Sequence, residues 1–157
     1  MPTDPTYPPG YPQLHQDGSF DIQGALSIGG VSMYAIDKIA RVALAAVDTA
    51  GGVFAWANPE AVTIIITKVM VYVTTVATGA CQLDIGTTAT SAATLSDILL
   101  DGIDVHAATG LLALANQGGV NGIAQQTLAS GKWVTASTAT GASAGLVGFA
   151  YIHYHII

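Results

Sequence analysis

The chain has 157 residues, of which 51% are hydrophobic, yet it carries only four Lys or Arg and ten Asp or Glu, for a formal charge of −6. At 9% charged, against about 25% in an ordinary soluble domain, its surface is short of the ions that keep monomers apart. The bases Lys38, Arg41, Lys68 and Lys132 form no stripe, which argues against a nucleic-acid partner, because phosphate neutralisation needs clustered Lys and Arg.

Residues 1–30 read as an extended arm. Pro2, Pro5, Pro8, Pro9 and Pro12 oppose helix and sheet and favour polyproline II. Tyr7, Tyr11 and Phe20 offer flat contact area beside that stiffened backbone. Tyr7, Pro8, Pro9 and Tyr11 are therefore candidate contacts with a neighbouring chain. The opening residues lack the basic start and apolar stretch of a signal peptide, so no targeting segment is expected. Ile28-Gly29-Gly30 reads as a hinge, with the folded body over 31–157.

The body begins with short apolar pieces. Val31–Ile36 and Ile39–Val47 are candidate strands, although Ala40, Ala43, Ala45 and Ala46 give Ile36–Val47 a helical alternative. Asp48-Thr49-Ala50-Gly51-Gly52 reads as a turn, Val53–Trp56 as a short strand, and Asn58-Pro59-Glu60 as another turn. Ala61–Leu83 is uncharged except for Lys68, but its Val, Ile and Thr content favours extended backbone over a membrane helix. It divides at Thr78–Gly79 into two strands. Val62–Val76 is apolar at both odd and even positions, which predicts a strand covered on both faces, either within a sandwich or by a neighbouring subunit, and Ala80–Ile85 is its expected hairpin partner.

Further on, Gly86–Ser96 reads as an uncharged loop. Ile98–Leu100 and Ile103–Val105 flank an expected tight reversal at Asp101-Gly102. Leu111–Ala115 is a short strand and Asn116–Gly122 a loop. Gly131–Thr138 and Leu146–Ile157 close the chain, with Thr140–Ser143 between them. Some eight short strands with such turns predict an all-β fold, a jelly-roll-like β-sandwich with an N-terminal arm.

Candidate chemistry is thin. His153 and His155 lie two apart on a strand, so their rings share one face roughly 7 Å apart, a spacing that suits a metal ion. Only Ile156 and Ile157 follow, so a cupin-type ligand set cannot be completed in its usual order, and His15 and His106 are remote. Interface histidines are the expectation, together with Tyr151, and no cofactor or metal is assigned. Asp97, Asp101 and Asp104 are spaced by apolar residues that do not suit a calcium loop. There is no G-x-S-x-G elbow and no phosphate-binding glycine loop. Cys81, the sole cysteine, is expected to be a small buried hydrophobe. Trp56, Trp133, Tyr72, Tyr151 and Tyr154 would be the components of a sugar-stacking platform if the fold gathered them.

The stretch QLDIGTTATSAATLSDILLDGIDVHAATG (Gln82–Gly110), followed by LASGKWVTASTATGASAGLVGFAYIHYHI (Leu128–Ile156), resembles small β-rich virion proteins of tailed phages, the capsid decoration or head-associated proteins. That resemblance implies a jelly-roll-like sandwich, a homo-oligomer (a trimer above all), and attachment to the major capsid protein or other virion subunits. It implies no catalytic residues, no membrane, and a place on the capsid surface after synthesis in the host cytoplasm. A glycan-binding fibre or adhesin head, a cupin-like metal enzyme and a self-assembling filament or sheath subunit are the alternatives.

Overall fold

The computed structural model describes residues 37–48, 52–91, 96–112 and 125–157 in full, and the backbone of 13–14, 20–21, 26–28 and 31–33. The chain divides into two compact units, Met1–Ile36 and Asp37–Ile157. In the first, β1 (Gln13–Leu14) pairs antiparallel with β2 (Phe20–Asp21), and β3 (Leu26–Ile28) with β4 (Val31–Met33). The β3–β4 pair straddles the boundary expected at Gly30. The candidate contacts Tyr7, Pro8, Pro9 and Tyr11 lie outside the described residues.

The second unit consists of β5 (Lys38–Ala43), β6 (Phe54–Ala57), β7 (Ile64–Thr75), β8 (Cys81–Thr88), β9 (Leu100–Asp104), β10 (Gly110–Leu112), β11 (Gln126–Leu128), β12 (Trp133–Gly141) and β13 (Val147–Ile156). One sheet runs β10-β7-β13-β5, with β11 also pairing β7, and the other runs β6-β12-β8-β9. Every pairing is antiparallel. The chain passes between the sheets at each connection from β5 to β8, pairs β8 with β9 within one sheet, and crosses again from β9 to β10, β11 to β12 and β12 to β13. This is the strand order of a jelly roll, with β10 and β11 sharing one strand position along β7. The helical alternative at Ile36–Val47 gives way to β5, whose Lys38, Ala40 and Val42 are half-buried while Ile39, Arg41 and Ala43 are exposed.

The core lies between the sheets. The first sheet contributes Ile64, Ile66, Val69, Val71, Val73, Ala150, Ile152 and Tyr154; the second contributes Phe54, Leu83, Ile85, Leu100, Ile103, Val134 and Ala136. Burying such side chains is the main favourable term, at about 25 cal/mol per Å2 of apolar surface removed from water.

Two expectations are corrected. First, β8 is not the hairpin partner of β7. It lies in the other sheet, because residues 76–80 arch across the sandwich, held by Ala77 N–H to Val105 O (3.1 Å) and Thr78 N–H to Ala144 O (2.9 Å). Second, Asp101-Gly102 is no reversal. Leu83 pairs with Ile103 and Ile85 with Leu100, so two residues of β9 face Asp84 alone. This is a β-bulge, and Gly102 adopts the left-handed φ of 68° that it requires. Asp84 Oδ1 accepts the Gly102 N–H at 2.9 Å.

Within this chain β7 buries one face: its buried residues are Ile64 and Ile66 before Thr67-Lys68, and Val69, Val71 and Val73 after them. A second bulge sits there, opposite His153/Tyr154, and Thr67 Oγ1 donates to His153 O at 3.2 Å. The extra residue shifts the inward positions from even to odd numbers. Two half-strands of opposite phase then read as one strand apolar throughout.

Candidate interaction face

The outward side of the first sheet follows directly from its register. Leu111, Tyr72, Phe149 and Ala43 form one cross-strand row; Met70, Tyr151 and Arg41 the next; Lys68, His153 and Ile39 the third. Ile65, paired with both Thr127 and His155, begins a fourth. Tyr151, His153 and His155 thus share one face, as their spacing predicts.

Large apolar side chains on this face meet water. Ile39 is 58% exposed, Leu111 49%, Val147 50% and Tyr72 42%. Scattered exposed apolar residues are ordinary; here four of them lie on one sheet face. Arg41 lies over the Phe149 ring, 3.9 Å from its centroid, within the range of a cation–π attraction.

The two histidines differ in their surroundings. His155 Nε2 lies 2.9 Å from Asp37 Oδ1. The Nε2 of His153 and the Nδ1 of His155 are buried and have no hydrogen-bond partner among the described residues. No three His, Cys, Asp or Glu side chains among the described residues group to hold a metal ion. His106, one of the remote partners, instead has its Nδ1 2.8 Å from Ala77 O; His15 lies outside the described residues. Asp104 Oδ1 accepts the backbone N–H of His106 (2.9 Å) and Ala107 (3.0 Å), a local turn closure.

The aromatic platform is split by the fold. Trp56 and Tyr154 point between the sheets, their centroids 5.3 Å apart and their planes at 53°, whereas Tyr72 and Tyr151 point outward and Trp133 lies on the second sheet. At the β5–β6 edge, Lys38 Nζ meets Glu60 Oε1 at 2.6 Å, and Tyr154 Oη donates to the same oxygen at 3.3 Å. The Lys38 hydrogen bond holds the Glu60 carboxyl below its ordinary range, and Glu60 in turn raises Lys38. Burial raises the Tyr154 phenol. The sequence reading missed this cluster; the alternation of KIARVA, which turns Lys38 inward with Ala40 and Val42, was the available signal.

Across the sandwich, the outward residues are of another kind. On the second sheet they are Ala55, Ala57, Gln82, Asp84, Asp101, Asp104, Trp133, Thr135 and Ser137. Thr135 and Ser137 are each only 3% exposed, and Gly86, the partner of Thr135, lies against Ser96. Burial raises the Asp84 carboxyl, and the charges of Asp101 and Asp97 act in the same direction. Cys81 is 1% exposed and burial pushes its thiol up, as suits an unreactive core residue.

No family model, no curated protein and no solved structure matches this chain. No helix among the described residues is long and apolar enough to cross a membrane.

Proposed function

We propose that the chain is a non-enzymatic structural subunit that works by packing against other protein chains, as a virion decoration or minor capsid protein of the kind its sequence resembles. The observation that carries this is the outward face of the first sheet, where Ile39, Tyr72, Leu111 and Val147 stand in water around Phe149, Tyr151 and Met70. Covering such a face removes apolar area from water, and each interface formed shifts a shell toward its assembled state by its binding free energy. The low charge of the whole chain fits the same role.

A second proposal is favoured by one observation. Tyr72 and Tyr151 face outward on adjacent strands, on either side of the Phe149 ring that Arg41 covers, and outward tyrosines are groups on which sugar rings stack, as a fibre or adhesin head would need. A glycan array together with binding to assembled capsids separates the two. Capsid binding without sugar specificity is expected; specific capture of one glycan class, abolished by Tyr72→Ala and Tyr151→Ala, would overturn the structural-subunit proposal.

A further inference from the structure

Within their strands the two sheets divide charge by sign, although Asp37, just before β5, pairs with His155 and Lys132 directly precedes β12. The strands of the first sheet carry Lys38, Arg41, Lys68, His153 and His155 and no acid; those of the second carry Asp84, Asp101 and Asp104 and no Lys or Arg. Lys38 points inward to Glu60. Arg41 and Lys68 belong to the outward rows of the first sheet, among the exposed apolar residues. On the other side, Asp104 is exposed opposite the exposed Gln82, and Asp84 and Asp101 are half-buried beside them at the β8–β9 bulge.

We propose that the basic, aromatic outer face of the first sheet docks on the acidic β8–β9 side of the second sheet of another copy of this chain. This rests on the structural-subunit proposal above and names its partner and its two contact surfaces. The alternatives within a homo-oligomer bring like charges together. Front to front sets Arg41 and Lys68 against themselves, and back to back sets Asp84, Asp101 and Asp104 against themselves, which is costly at close range. Of these three arrangements, front to back is the one that joins opposite signs. The contact is heterologous, since each copy uses a different surface from its partner, so it closes into a ring or runs on as a filament according to the rotation between copies.

Size sets the expected strength. Four strands about 4.8 Å wide, over some eight residues at about 3.3 Å each, give a face of roughly 500 Å2. A standard stable interface buries about 800 Å2 per partner. The single contact is therefore weak and concentration-dependent, and persists by repetition.

Complementary charge reversal tests this in the full chain. The front variant is Arg41→Glu with Lys68→Glu. The back variant is Asp101→Lys with Gln82→Lys and Asp104→Asn, the last keeping the oxygen that accepts the His106 and Ala107 amides. Molar mass is followed by light scattering and sedimentation over a concentration series, with circular dichroism and melting curves to establish that each variant is folded. Native chain is expected to gain mass with concentration. Each variant alone should need about tenfold more protein to do so, and an equimolar mixture should associate at lower concentration than either variant alone, because the two can alternate and every junction between unlike variants unites opposite signs. Should a reversal prevent folding, Arg41→Gln with Lys68→Gln on the front, or Asp101→Asn on the back, replaces it, and weakened association is expected of each. The inference is overturned by a native chain that stays monomeric, by a back variant that associates like native, or by a mixture no better than its components. Native-like association of both variants would remove this contact while leaving the structural-subunit proposal standing. Specific glycan capture would remove that proposal instead.

Discussion

The two sheets share one core and differ in their outward side chains. The outward rows of the first are built from Ile, Tyr, Phe, Met and His around two bases; those of the second from Ala, Thr, Ser and Gly, with Trp133 and Gln82, around three acids. Core packing does not require this difference, since residues pointing away from the core do not decide how the sheets pair. Outward side chains are therefore the part of the sequence free to serve another purpose, and here the two sides have diverged in size, polarity and sign.

The largest expected effect separates the inside of the first sheet from its outside. Ile152 is wholly buried, while its neighbour Tyr151 points outward. Ile152→Ala removes apolar contacts and leaves a cavity, and is expected to cost about 2–5 kcal/mol of unfolding free energy. Tyr151→Ala should cost about 1 kcal/mol or less, as surface changes do, while weakening association. Urea titration of the two variants side by side measures this. Equal losses would mean that the outer face is as essential to the fold as the core.

A smaller contrast sets one glycine of each sheet against the other. A Cβ on Gly148 would lie 2.2 Å from Tyr72 O and 3.1 Å from Val73 Cα, backbone atoms of the adjacent strand. A Cβ on Gly86 would meet Ser96, 2.1 Å from Oγ and 2.7 Å from the carbonyl carbon. Strand β7 is fixed by its pairing on both sides and cannot yield, whereas Ser96 lies outside any strand. Gly148→Ala is expected to destabilise by about 1–3 kcal/mol, the usual range for overpacking, and Gly86→Ala by less. Thermal melts that rank the two in the opposite order would show that Ser96 is held more firmly than β7.

Much of the architecture was legible in the sequence, and the failures share a cause. Val, Ile and Thr runs bounded by Gly, Asp and Asn marked nearly every strand of the body. What the runs did not disclose was pairing. Thr78-Gly79 looks like a hairpin turn, yet it belongs to an arch, because an arch and a hairpin need the same small residues and differ only in where the next strand finds its partner. Asp101-Gly102 likewise has the residues of a reversal, and the fold uses the glycine's positive φ for a bulge. The Thr67-Lys68 bulge disguised a clean two-face alternation as a uniformly apolar strand. As for the candidate face, the His153/His155 spacing correctly placed both rings on one side. Ile39, Arg41 and Leu111 join them only through register, and register is a long-range property that residue type does not report.

Replacing the cluster at the β5–β6 edge should have a modest effect. The Lys38 and Glu60 side chains are 38% and 20% exposed, so solvent screens the pair, and Lys38→Met is expected to change stability by about 1 kcal/mol or less. The folded Glu60 carboxyl is lowered from 4.5, so its contribution is present above pH 4.5 and fades as pH falls below it. Lys38 is raised from 10.5, so its contribution is present below pH 10.5 and fades above it. Urea midpoints across those two windows should differ less in the variant than in the native chain.

The smallest expected change concerns Asp48, which ties the connection after β5 to the β12–β13 connection. Its Oδ1 accepts both the backbone N–H of Ser143 and, at 2.6 Å, the Ser143 hydroxyl. Ser143 is fully buried, so these bonds satisfy polar groups that water cannot reach. They also hold the Asp48 carboxyl below its ordinary 3.8. A group whose folded value is depressed stabilises the fold above the unfolded value and loses that contribution as pH falls through the folded one. Asp48→Asn retains an oxygen acceptor but no charge, so the native chain and the variant should converge in stability as pH drops below 3.8. At neutral pH the native chain should be the more stable of the two. Melting temperatures measured at pH 7 and at about pH 3, below the ordinary Asp value, decide the matter: a gap that stays constant between them would mean that the carboxylate charge contributes nothing to holding the two connections together.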